Sequence, residues 1–159
     1  MCSSTTTGAA SAPVRWKCID AMNEDFVYST QDTPTVEEFA DVLRRSTLAE
    51  RRPMEDAECL AGMVAHANLW ATCRVDGRLI GVARSLTDFV YSCYLADLAV
   101  DQDFARRGIG RKLIEETRSR LGPHARVILL SAPKAVEYYP HIGFTAHPSA
   151  WTMDAQGAG

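Results

Sequence analysis

The chain has 159 residues, 47% of them hydrophobic and 23% charged, with a formal net charge of −3. That length and balance fit one soluble domain built on one core. The small negative charge gives no reason to expect nucleic acid as an obligatory partner, since a phosphate backbone demands a concentrated basic face, and no apolar run approaches the ~20 residues that cross a bilayer.

Residues 1–12 are small and polar, and lack the basic and apolar stretches of a secretory signal. They bury too little to offset chain entropy and read as a disordered tail. A single domain is expected over residues 13–153, with residues 154–159 as a second tail. Cys2, Cys18, Cys59, Cys73 and Cys93 are odd in number and form no C-x-x-C pair. Neither a disulfide framework nor a zinc site is expected, and His66, His124, His141 and His147 add no metal spacing. Reduced thiols point to a cytoplasmic protein without a metal.

In chain order, Trp16–Asp20 reads as a short first strand. Thr35-Val-Glu-Glu38 then matches a capping box, with Thr35 as the N-cap and Glu38 reaching back to its amide. Val36, Phe39, Ala40 and Leu43 give the helix that follows one apolar face. A second helix is expected over 56–68, with Leu60, Met63, Val64 and Ala67 as its stripe. The period then changes. Leu69–Val75 and Arg78–Leu86 flank Asp76-Gly77, the signal of a tight type I′ hairpin. Phe89–Val100 is a further strand. A loop over 104–110 leads into a helix over 108–121, stopped by Gly122-Pro123 with Gly122 as its C-terminal cap. Arg126–Ser131 is a continuous apolar strand expected to be buried on both faces. A short helix over 133–141 and a final pair of short strands containing Trp151 and Met153 complete the pattern.

The stretch from Leu98 to Ile114 carries the chemistry. A strand enters a glycine-containing loop that opens directly into a helix. The first N–H groups of a helix lack internal partners and carry the positive end of its dipole, and glycine lets a bulky anion approach the backbone. Such a junction is a pyrophosphate cradle, to which Arg106, Arg107 and Arg111 can add charge-assisted bonds. No Walker A loop is present, and Leu113 stands where a dinucleotide fingerprint needs its third glycine. Gly-Ile-Gly taken alone also fits a plain helix start with solvated arginines.

With its strand and loop, the segment Ala105-Arg-Arg-Gly-Ile-Gly110 resembles the [Q/R]-x-x-G-x-[G/A] pyrophosphate loop of the GCN5-related N-acetyltransferases, the GNAT family. Ala105 departs from the first position of that pattern, which touches one side-chain contact rather than the backbone cradle. The resemblance extends from about Trp16 to Met153. Tyr138-Tyr139-Pro-His-Ile-Gly143-Phe144 resembles the family's F-Y-x-x-x-G-F segment, placing Tyr139 on the family's general acid. The resemblance implies acetyl-CoA as cosubstrate. The coenzyme would be bound by Leu98, Ala99, Val100, Ala105, Arg106, Arg107, Gly108, Ile109, Gly110, Arg111 and Ser131, with the strand Asp97–Val100 pairing with the pantetheine arm. It also implies an α/β fold: a mixed, mostly antiparallel, twisted sheet of six or seven strands with helices on both faces. In it the strands containing Leu98 and Leu129 form a splayed parallel pair.

The expected reaction is direct transfer of the acetyl group, in a ternary complex, to a primary amine of a small molecule. A backbone N–H of the Asp97–Val100 strand could stabilise charge on the thioester oxygen. Tyr139 could protonate the thiolate, and Asp97 is the best-placed general base, ahead of Glu137. Asp97 also fits a structural role at a strand splay. Cys93 raises an acyl-cysteine route but reads as a small core residue, while Tyr138 reads as core or substrate wall. The alternatives are a protein or peptide acceptor, or a non-catalytic acyl-CoA-binding regulatory module. Acceptor specificity is expected in residues 23–70 and 144–153, and homodimers are common in the family.

Overall fold

Five strands hydrogen-bond in the order β1-β2-β3-β4-β5: β1 (Val27–Ser29), β2 (Leu69–Val75), β3 (Arg78–Thr87), β4 (Ser92–Val100) and β5 (Arg126–Ile128). The first four are antiparallel neighbours, and β4 and β5 run parallel. The structure, a computed structural model, describes residues 25–156. The strand expected at Trp16–Asp20 lies outside the described residues, and β1 carries no alternation long enough to announce it.

Helices cover both faces. On one side lie α1 (Val36–Arg45) and α2 (Ala57–His66); on the other lies α3 (Ile109–Ser119). The capping box that starts α1 is present. Thr35 Oγ1 accepts from the Glu38 amide at 3.1 Å, and Glu38 accepts from the Thr35 amide at 3.0 Å. This orientation buries Phe39, Val42 and Leu43 against Trp70, Leu79, Val82 and Ala99. Phe39 meets Trp70 edge to face, with centroids 5.4 Å apart. The opposite core joins Ile109, Leu113 and Ile114 of α3 to Ala71, Cys73, Ile80, Ala83 and Leu95. Gly81 lets α3 sit close: a Cβ there would lie 3.1 Å from both Ile109 and Leu113.

Asp76 and Gly77 both have positive φ, 49° and 80°, as a type I′ turn requires. The strand expected from Phe89 begins instead at Ser92. The Asp88 carboxylate gathers the amides of Val90, Tyr91 and Ser92 at 2.8 to 3.0 Å and holds that segment in a turn. Gly122 is not the cap of α3, which ends at Ser119 with Arg120 as its C-cap. Gly122 instead donates to the Phe89 carbonyl at 2.7 Å, where a Cβ would crowd that oxygen at 3.3 Å.

Two expectations about the C-terminal part need correction. The sheet has five strands among the described residues, not six or seven, and residues 144–154 contain no strand. In consequence β5 is not buried on both faces. It pairs over only three residues, and Ile128 and Leu130 are 55% and 53% exposed. The apolar run is real, but among the described residues no strand lies beyond it. The helix expected over 133–141 divides into a 3₁₀ turn, Pro133–Ala135, and the single turn α4 (Tyr138–His141). Among the described residues no helix is long and apolar enough to cross a membrane, and no group of three or more His, Cys, Asp and Glu side chains is disposed to hold a metal ion.

Phe39→Ala should cost about 3–5 kcal/mol and Thr35→Ala about 1 kcal/mol. Urea unfolding reads both as a lower midpoint at unchanged slope. Equal losses for the two would contradict this division between core and cap.

Candidate active site

The end of β4, the loop after it and the start of α3 form one continuous junction. Asp101 caps a 3₁₀ turn, Gln102–Phe104, by accepting from the Asp103 amide at 3.0 Å. Arg45 of α1 donates to Asp101, and also to the Leu79 carbonyl at 2.6 Å. The loop then reaches two residues of left-handed backbone, Arg106 at φ 63° and Gly108 at φ 78°. For a non-glycine residue that conformation is uncommon and stored mainly at functional turns. Gly108 is the N-cap of α3 and no side chain caps it. The first-turn amides, Ile109 and Gly110 among them, therefore open onto a cleft of about 450 Å³ lined by Leu98, Ala105, Arg106, Gly110, Arg111 and Tyr138, among others. A Cβ on Gly110 would stand 2.9 Å from Tyr138 Oη. Bare backbone, a helix N-terminus and two arginines on one cleft fit a pyrophosphate.

β4 parts from β5 beside this cleft. The parallel register runs Ser92–Arg126, Cys93–Val127 and Tyr94–Ile128 and stops there, while β4 continues to Val100. The edge of β4 facing β5 is thus unpaired from Leu95 onward. The Asp101 N–H points to β3, bonding the Ile80 carbonyl at 2.8 Å. Successive strand N–H groups alternate in direction, so Leu98 and Val100 present theirs to the open edge. A second cleft of about 330 Å³ fills the gap, lined by Leu95, Ala96, Leu129 and Leu130 and by Ser46, Thr47 and Arg52 of the segment after α1, among others. The two clefts share Leu98, Val100, Ala105, Ala135 and Tyr139.

Tyr139 therefore stands where the clefts meet. Its ring packs edge to face on Tyr138 and on Phe144, each with centroids 5.5 Å apart. Pro140 is tolerated because it falls in the first turn of α4, where its missing N–H has no intrahelical use. The Phe144 and Ile142 amides bond the Tyr139 carbonyl at 3.0 and 3.2 Å and fix the turn. Burial, helped by neighbouring Tyr138, pushes the Tyr139 hydroxyl above the ordinary tyrosine value. Burial raises Tyr138 likewise, against the opposing pull of Arg111.

Asp97 has a different setting. It is 1% exposed, and both oxygens are occupied. Arg52 Nε donates to Oδ1 at 2.5 Å, and Arg84 Nε donates to Oδ2. Arg52 also donates to the Ala96 carbonyl at 3.0 Å, and Arg84 lies over the Phe39 ring at 5.9 Å. Ala96 is the extra residue of a β-bulge, since the register passes from Arg84–Asp97 to Ser85–Leu95. This geometry favours the structural role for Asp97 over that of general base.

The remaining expected residues divide. Ala99 and Ile109 are each 1% exposed, with side chains in the cores, so only their backbone can serve the clefts. Arg107 stacks over Phe104 at 5.1 Å. Ser131 lies between the lining residues Leu130 and Ala132 but is not itself on either wall. Cys93 is fully buried, and burial pushes its thiol up, away from a nucleophilic thiolate. Glu137 is exposed and lines neither cleft. Arg52 and the phosphate-side position of Tyr138 escaped the sequence reading. The bulge that recruits Arg52 is a cross-strand property, and only the fold sets Tyr138 beside Gly110.

The family model of the acetyltransferase (GNAT) domain matches residues 29–155, and the chain belongs to that family. Histone acetyltransferase TAP1 of Glycine max is 33% identical over 73 residues, which are 45% of this chain and 32% of that protein. The chain thus spans about a third of the length of the curated relatives it matches. Among solved structures, a GNAT-family acetyltransferase of Streptococcus pneumoniae superposes with TM-score 0.66 at 19% identity, over 83% of this chain and 100% of that one. An aminoglycoside acetyltransferase from an uncultured soil metagenomic sample, solved with sisomicin, gives 0.57 at 19% identity, over 82% and 95%. At such identities the likeness establishes the fold.

Asp97→Ala leaves two arginines around an emptied site and should lower stability by about 3–5 kcal/mol, the cost of breaking a buried pair. A residue whose role is purely chemical would leave the unfolding midpoint where it is.

Proposed function

We propose that this chain transfers the acetyl group of acetyl-CoA directly to a primary amine of a small molecule. The observation that carries the reading is the position of Tyr139, at the meeting of a phosphate-binding cleft and a second cleft opened by the splay of β4 from β5. The open amides of the α3 N-terminus, with Arg106 and Arg111, hold the pyrophosphate. The exposed N–H groups of Leu98 and Val100 take the pantetheine arm along the unpaired strand edge. The second cleft, bounded by residues 46–52, holds the amine and positions it against the thioester.

In this reading the amine nitrogen bonds to the thioester carbon as the carbon–sulfur bond breaks. A β4 backbone N–H stabilises the charge on the carbonyl oxygen, and Tyr139 donates its proton to the departing sulfur. No carboxylate lines either cleft among the described residues, so the proton of the amine leaves to water. The raised pKa of Tyr139 suits an acid, because the hydroxyl keeps its proton throughout neutral pH.

Calorimetry should show acetyl-CoA binding to the intact chain that is lost in Gly110→Glu, whose side chain enters the phosphate cleft. A folded chain that binds no acetyl-CoA would overturn the reading. Tyr139→Phe should lower kcat by about 10²–10⁴-fold while coenzyme affinity holds. Because burial raises this tyrosine, the alkaline loss of kcat that Tyr139→Phe abolishes should fall above the ordinary value of ~10. A limb at lower pH would assign the acid elsewhere.

A further inference from the structure

The second cleft is lined by a guanidinium whose one ion-pair partner is shared with a second cation. Arg52 and Arg84 share the one carboxylate of Asp97, two cations to a single anion. Arg84 is turned into the protein, against the Phe39 ring and the Met63 carbonyl. Arg52 is not: its side chain is 22% exposed and lines the cleft. A guanidinium has five N–H donors. Arg52 uses three, to Asp97 Oδ1 at 2.5 Å, the Arg51 carbonyl at 2.8 Å and the Ala96 carbonyl at 3.0 Å. Two remain, one on each terminal nitrogen. Among the described residues of this cleft, Arg52 is the one side chain charged at neutral pH, with Ser46, Thr47 and Gln102 as uncharged hydrogen-bonding groups beside it.

A partly desolvated guanidinium with unused donors selects a planar anion, which it can grip with two parallel bonds. The unbalanced charge is one unit. A carboxylate matches it, and a phosphate dianion overshoots it. A second ammonium group would be repelled. The geometry points to Arg52 as the residue that recognises the acceptor, and to an acceptor that carries a carboxylate as well as its amine. The inference rests on the transferase reading above. Arg52 is bonded to Ala96 at the bulge of β4, so a carboxylate held there lies beside the open strand edge, in the cleft that Tyr139 also lines.

The test uses initial rates of CoA release from acetyl-CoA with matched amines: each common amino acid, its amide and its decarboxylated amine, with spermidine and O-phosphoethanolamine alongside. For at least one amino acid, kcat/KM should exceed that of its amide by about tenfold or more, chiefly through KM. That ratio should approach one in Arg52→Gln and survive in part in Arg52→Lys, which keeps the charge without the fork. A merely structural arginine would lower both rates together and leave the ratio alone. Preference for amides, plain amines, spermidine or O-phosphoethanolamine overturns the inference, as does a ratio that persists in Arg52→Gln. The wild-type comparison decides even where the variant fails to fold. Turnover of no amine by a chain that binds acetyl-CoA overturns the transferase reading itself, and this inference with it.

Discussion

β4 must serve two neighbours that diverge. It pairs with β3 along its length, yet with β5 for only three residues. A strand edge left unpaired inside a fold is costly unless something else takes its hydrogen bonds. Here the open edge lines a cleft, and a ligand that runs along it in extended form can take those bonds. The divergence therefore sets the place of the second cleft, the side of β4 that stays accessible, and the position of Tyr139 across the gap.

The bulge in β4 beside this open edge is held by charge. Ala96 bulges out of β4, and Asp97, directly after it, receives Arg84 from β3 and Arg52 from the segment after α1. One carboxylate thus ties the central strands to the segment that borders the second cleft. Placing it in the interior is tolerable because both oxygens are satisfied. The same interaction sets Arg52 on the lining of the second cleft. Directly after β4, Asp101 is held by Arg45 and caps the turn before the loop that opens into α3. Two buried aspartates thus flank residues 98–100, the part of β4 that contributes Leu98 and Val100 to both clefts.

Local signals in the sequence were clear where the physics is local. The capping box at Thr35 and Glu38 is a contact between residues three apart. The turn at Asp76-Gly77 needs positive φ at both positions, which this pair tolerates. The strand–loop–helix junction at Gly108 was legible for the same reason: a helix N-terminus entered through a glycine is written within a few residues. The order of elements from α1 to α4 followed from such signals. The Arg126–Ser131 run was misleading, because apolarity states what a strand could bury and not what lies beside it.

By itself the sequence determined α1, α2 and α3, the hairpin and the glycine-containing helix start that follows β4, all from short-range periodicity, capping and turn chemistry. Only the tertiary structure decided where the sheet ends, that Asp97 is locked between two arginines, that Tyr138 lies on Gly110, and that Arg52 borders the second cleft. These depend on strand register and on where β4 leaves β5. Both are set by residues tens of positions apart, whose meeting no local pattern records.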